Sequence, residues 1–224
     1  MYKYFTLAFV FLLPLVSLFP QAIDNPNYGL KSHETLTIQS VVLTANSTTL
    51  FMVIENRSLD GTFCADKNIY LLLPEGKRLK IKSADGIPRC PESYVFKSFG
   101  EKLYFSLSFP ELPKGTEWFD LIEDCNEACF SFNSVILDAL LNQKIDHAFV
   151  MTETGETEEA IKEFEALLID FSGKNCSYEG AIYWNLIQLY RKNGDESKAS
   201  EYLQRLISSE NPLKEKYIEN LGAY

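Results

Sequence analysis

Between Lys102 and Phe109 the apolar residues Leu103, Phe105, Leu107 and Phe109 alternate with Tyr104, Ser106 and Ser108. A period of two sends alternate side chains to opposite faces of a strand, so one face is apolar and the other carries hydroxyls. Similar runs occur at 36–43, 50–54, 69–73, 79–81, 118–122 and 130–137. Turn-forming clusters separate them, among them Asn56-Arg57-Ser58, Pro74-Glu75-Gly76, Asp85-Gly86-Ile87-Pro88 and Leu112-Pro113-Lys114-Gly115. About seven short strands at this spacing predict an antiparallel β-sandwich over residues 34–138.

Near Asp138 to Leu141 the period lengthens to about 3.6, and Ala, Leu, Glu and Lys replace the strand formers. From Thr157 to Phe171, Ala160, Ile161, Phe164, Leu167, Leu168 and Phe171 form one stripe, while acids and Lys162 cover the other side. From Asp195 to Ile207 the stripe is Ala199, Tyr202, Leu203, Leu206 and Ile207. The two segments are in register 39 residues apart: Gly155, Ala160, Phe164 and Leu167 recur as Gly194, Ala199, Leu203 and Leu206. A further helix precedes each glycine, at about 140–153 and 179–192, and a short one follows Pro212, giving two helix-turn-helix pairs and a terminal helix over 211–221. Self-similarity at this period means stacked helix pairs, an architecture used for docking more than for chemistry.

These residues resemble the tetratricopeptide repeat family. Tyr183, Leu186 and Tyr190 stand at the family's aromatic, leucine and tyrosine positions, Gly194 at the turn glycine and Ala199 at the small packing position. Pro212 falls one place beyond the usual proline, and Ala148, Gly155, Ala160 and Phe164 carry the pattern in the first unit. Lys144 and Ile187 depart from it, and the insertion of residues 173–177 stretches the period beyond the usual 34. The resemblance implies a concave groove lined by the first helix of each pair. Transferred to this chain, the partner-binding positions are Asn142, Ile145, Phe149 and Thr152 in the first unit and Trp184, Asn185, Gln188 and Arg191 in the second. Because two units are fewer than a free-standing array needs, either the groove is open or the sandwich covers Ile145, Phe149 and Trp184 as an interdomain core. The strand-rich half is similar to immunoglobulin-like accessory domains of exported bacterial proteins, by pattern and without a motif.

The N-terminal residues add a compartment. Lys3, the uncharged run from Tyr4 to Leu18 and Pro20-Gln21-Ala22 follow the order of a secretory signal. The expected organisation is therefore a signal peptide over 1–22, an extended arm over 23–33, the sandwich over 34–138 and the tetratricopeptide-like helices over 139–224. The arm is expected to be mobile or to lie along the sandwich edge. In an oxidising compartment Cys64, Cys90, Cys125 and Cys129 are expected to form disulfides. Four cysteines allow three pairings, which the spacing leaves open: a bridge between Cys125 and Cys129, which bracket a three-residue connection between strand-like runs, would pin a hairpin and leave Cys64 with Cys90 to close a longer loop. Cys176 is left over and reads as a buried or idle thiol and not as a nucleophile.

The chain has a net charge of −10, and residues 138–224 hold 16 acids against 9 bases. Such a surface repels nucleic-acid backbones and anionic membranes. No P-loop, nucleophile elbow or HExxH motif occurs, and two histidines, His33 and His147, poorly supply a triad or a metal centre. The acids Asp120, Glu123 and Asp124 near Cys125 could hold calcium but read more simply as solvated. No cofactor, no metal and no catalytic residue are expected. The function read from the sequence is an exported protein–protein interaction module or envelope scaffold that binds a protein or peptide partner through its helices, without nucleic acid and without membrane insertion after signal cleavage. The alternatives are a structural subunit of an envelope assembly, in which the helices buttress the sandwich, and, more remotely, a hydrolase built on Cys176 or an acid pair.

Overall fold

The computed structural model describes residues 20–222. Most of the expected leader lies outside the described residues; its last three, Pro20 to Ala22, are described. Eleven described strands precede five described helices. The strands are β1 (Gln21–Asp24), β2 (Leu36–Leu43), β3 (Thr48–Glu55), β4 (Thr62–Phe63), β5 (Ile69–Leu72), β6 (Arg78–Lys80), β7 (Ser83–Asp85), β8 (Tyr94–Val95), β9 (Lys102–Phe109), β10 (Trp118–Glu123) and β11 (Ser131–Ile136). The helices are α1 (Ala139–Thr154), α2 (Thr157–Phe171), α3 (Tyr178–Lys192), α4 (Glu196–Ser208) and α5 (Lys214–Leu221).

The longer strands form two antiparallel sheets, ordered β1-β2-β3-β9-β7 and β11-β10-β5-β6, and β4 pairs with β8. The alternation read from the sequence places the core. Leu103, Phe105, Leu107 and Phe109 of β9 are buried, as are Leu50 and Met52 of β3, and they share one apolar cluster with Leu71, Phe119, Leu121 and Phe132 of the other sheet. Cys64 is bonded to Cys90 and Cys125 to Cys129, one of the three pairings the sequence left open. The second bridge joins the ends of β10 and β11. β1 was not anticipated: Gln21 and Ala22 pair with Leu43 and Val42, so the strand begins inside the stretch assigned to the leader.

The helices begin where the period changed. Asp138 caps α1 by accepting the Leu141 N–H at 2.8 Å, which satisfies one of the orphan donors of the first turn. α1 ends at Gly155, whose left-handed backbone (φ 83°) lets its N–H reach the carbonyls of Met151 and Thr152. Gly194 takes the same conformation (φ 78°) at the second turn. Consecutive helices pack on one another, and α5 returns onto α3. Ala160, Phe164, Leu186 and Leu206 are fully buried in their shared core, which Ile136 of β11 also joins. Glu165 on α2 accepts from Tyr190 (2.8 Å) and Tyr202 (2.6 Å), a polar tie across α2, α3 and α4.

α5 depends on one glycine. A Cβ at Gly180 would lie 2.4 Å from the ring of Tyr217, a distance that requires something to shift. Gly180→Ala is therefore expected to cost about 1–3 kcal/mol by overpacking and to increase amide exchange in α5 ahead of the other helices. Uniform protection across all five helices in the variant would contradict this.

Candidate functional site

After β1 the chain leaves the edge of β2 at Asn25, which takes a positive φ of 46°, and crosses to the edge of the other sheet. There the Gly29 N–H donates to Asn133 O (2.7 Å) and the Ile136 N–H donates to Asn27 O (2.8 Å). On its other side the crossing segment is held by α1. Asn27 donates its backbone N–H to Asn142 Oδ1 (2.7 Å) and its side-chain amide to Asp146 Oδ1 (2.8 Å). Of the two expectations for the arm, the edge-lying one describes it.

A cavity of about 540 Å³ lies between this crossing and the helices. One wall is the arm from Asn25 to Leu30, with Thr37 and Ile38 of β2. The other consists of Phe149 of α1, Tyr178, Ala181, Trp184 and Asn185 of α3, and Tyr217 and Asn220 of α5. None of the lining residues is Asp, Glu, Lys, Arg or His. Phe149, Trp184 and Asn185 are half-buried. Phe149 is steadied from behind by an edge-to-face contact with Phe164 at 5.5 Å. Asn185 donates its side-chain amide to Ala181 O at 2.8 Å.

The positions expected to bind a partner therefore divide. Phe149, Trp184 and Asn185 come together on the cavity wall. Asn142 is buried and occupied by the chain itself: besides accepting from Asn27, it donates to Ile136 O (2.9 Å) and Asp138 O (3.0 Å). Ile145 has no exposed surface and belongs to the helical core. Thr152 and Gln188 are half-buried and Arg191 is exposed in the last turn of α3; none of the three lines the cavity. The arm and α5 contribute Asn27, Tyr217 and Asn220, which repeat matching did not single out. The signal was faint: Gly180 among bulky residues of α3 marks a close approach, and Tyr28 and Leu30 give the arm something to bury.

Behind the cavity lies a buried polar cluster. Ser134, in a left-handed conformation (φ 52°) beside the register shift between β10 and β11, approaches Ser177 Oγ at 2.6 Å. Its N–H donates to Asp120 Oδ1 at 2.7 Å, and Asn211 donates to Ser177 O at 3.0 Å. Burial pushes the Cys176 thiol up to about 11, so it stays protonated at neutral pH and is a poor nucleophile. Burial also raises the carboxyl of Asp120, against the opposing pull of the Ser134 N–H. Glu123 is raised for the same reason although it accepts the N–H groups of Asp66 (2.7 Å) and Phe130 (3.1 Å). Among the described residues no group of His, Cys, Asp and Glu is placed to hold a metal ion.

These raised carboxyls fix a sign. A carboxyl whose folded pKa exceeds its unfolded value binds more protons when folded, so its contribution is full below the unfolded pKa and is lost as pH rises through the folded one. Asp120→Asn retains the acceptor for Ser134 and removes the charge. The variant is expected to lose less stability than the parent between the carboxylate range and neutral pH, read from thermal melts across that window. An unchanged or steeper decline would contradict it.

Comparison with protein-family models, curated proteins and solved structures finds no match for this chain, so the reading of the site rests on its own geometry.

Proposed function

We propose that this chain is an exported interaction module, an immunoglobulin-like sandwich followed by a tetratricopeptide-like helical domain, that captures a protein or peptide partner at the cavity between the arm, α1, α3 and α5. The order β2-β3-β9-β7 facing β11-β10-β5-β6 supports the immunoglobulin-like assignment, since one sheet of that fold runs A-B-E-D and the other is built around C, F and G. Paired helices with left-handed turn glycines and the buried Ala160 and Ala199 support the repeat assignment. Two disulfides support an oxidising compartment. Among the described residues no helix is long and apolar enough to cross a membrane.

The observation that carries the docking reading is the placement of Trp184 beside Phe149 on the wall of an uncharged cavity. Concave, mostly apolar sites with a few polar groups are where ligands bind, and tryptophan is over-represented among residues that dominate interfaces. Trp184→Ala is expected to weaken partner capture by about 2 kcal/mol or more while lowering the melting temperature by only about 3 °C. Affinity chromatography from the native envelope, paired with a thermal melt, reads both quantities.

One set of contacts favours the structural-subunit reading. Ile136 is buried in the helical core, and Trp118 and Leu30 pack against it, contacts that support helices acting as a buttress. A large stability loss in Trp184→Ala with no change in capture would select that reading.

A further inference from the structure

We infer that the cavity is a subsite for an uncharged peptide segment, which donates backbone N–H groups to Asn185 and Asn27 and seats one aromatic or branched aliphatic side chain beside Trp184 and Phe149. This rests on the docking reading above and names the chemistry of its ligand.

Three observations point there. The first is charge. A chain with 31 acids and 21 bases places none of them on the cavity wall. A charged group entering it would lose hydration and find no counter-ion on the wall.

The second is the state of the carboxamides. The side-chain nitrogen of Asn185 is committed to Ala181 O at 2.8 Å. That of Asn27 is committed to Asp146 at 2.8 Å and Asn142 at 3.1 Å. Asn27 has both amide protons engaged and its amide oxygen left to accept, while Asn185 gives one of its two protons to Ala181 and also keeps its oxygen as an acceptor. Acceptors on an apolar wall suit a donor that carries no charge, as a peptide N–H does.

The third is the chain's own use of the neighbouring surface. Asn27 is bound as an extended segment, its N–H on the Asn142 side chain and its carbonyl on the Ile136 N–H. The surface already reads peptide amides. A volume of about 540 Å³ suits one large side chain with its flanking peptide units. The clamped arm and the seat of Tyr217 on Gly180 hold the walls in place, so little ordering is needed on binding.

The test titrates the full chain with N-acetyl-tyrosinamide, N-acetyl-leucinamide, N-acetyl-lysinamide, N-acetyl-glutamic acid amide and glucose, following the Trp184 indole N–H by NMR. The two neutral amides are expected to give saturable shifts, with the charged pair at least about tenfold weaker. Ala181→Phe fills the cavity and should abolish the shifts; Trp184→Leu is the second variant, read by the backbone resonances of Asn185, should the first not fold. Equal binding by the charged amides, binding of glucose in their place, or shifts unaffected by filling the cavity would each overturn the assignment. Partner capture that depends on Trp184 while no amide binds would sink the subsite and leave the docking reading standing. Amides that bind while Trp184→Ala captures partner normally would do the reverse.

Discussion

Replacing Phe164 with alanine is expected to lower the unfolding free energy by about 3–5 kcal/mol, the usual range for a phenylalanine deleted from a close-packed core. Phe164 has no exposed surface and sits where α1 and α2 meet. Its ring supports Phe149 edge-on at 5.5 Å, and Phe149 lines the cavity. The loss should thus appear twice, as a lower denaturant midpoint and as weaker binding under conditions where the variant is still folded. Phe164→Leu retains most of the volume and should recover much of both. Denaturant melts of the three proteins, with binding measured on the folded fraction, separate these outcomes; a Phe164→Ala protein that binds at full strength would detach Phe149 from the site.

The second large effect is covalent. Removing the Cys64–Cys90 bridge by a double serine substitution is expected to cost about 3.5 kcal/mol, because the bridge spans 26 residues and restrains that much of the unfolded chain. The Cys125–Cys129 bridge spans 4 and should contribute about 2 kcal/mol by the same reasoning. The longer bridge also holds a local structure in which the Ala65 N–H donates to Pro88 O (3.0 Å), the Cys90 N–H donates to Ala65 O (3.1 Å) and Arg89 donates to Asp66 O at 2.7 Å. Unfolding of the two double variants, each with the other bridge intact, gives the ranking directly. A larger loss from the short bridge would mean that it acts by ordering the β10–β11 junction rather than by restraining the unfolded chain.

What the sequence made legible follows from which interactions are local. The period of two in 102–109 and 36–43 gave both strands to the residue, and the stripe over 157–171 gave α2, because burial of one face sets those patterns in neighbouring positions. β4 and β8 were missed because a strand of two residues has no period to read, and β7 because Ser83-Ala84-Asp85 carries only one small apolar residue. β1 and the arm were hidden for a different reason. Gln21–Asp24 is specified by pairing with residues some twenty positions later, and Asn27 by an asparagine 115 positions away. No local pattern encodes such a contact. The same cause divided the candidate site. Phe149, Trp184 and Asn185 were among the positions the tetratricopeptide resemblance implied, whereas the engagement of Asn142 by the arm and the arrival of Tyr217 and Asn220 on α5 depended on how distant segments close around α3.

The central claim is that a partner enters at the cavity and not elsewhere on the helices. A photo-crosslinking side chain placed at Asn220, on the cavity wall, should form a discrete adduct in the native envelope that Trp184→Ala removes, while the same group at the exposed Gln204 of α4 should form none. An adduct from position 204 with none from position 220, or an adduct at 220 that survives Trp184→Ala, would contradict the account.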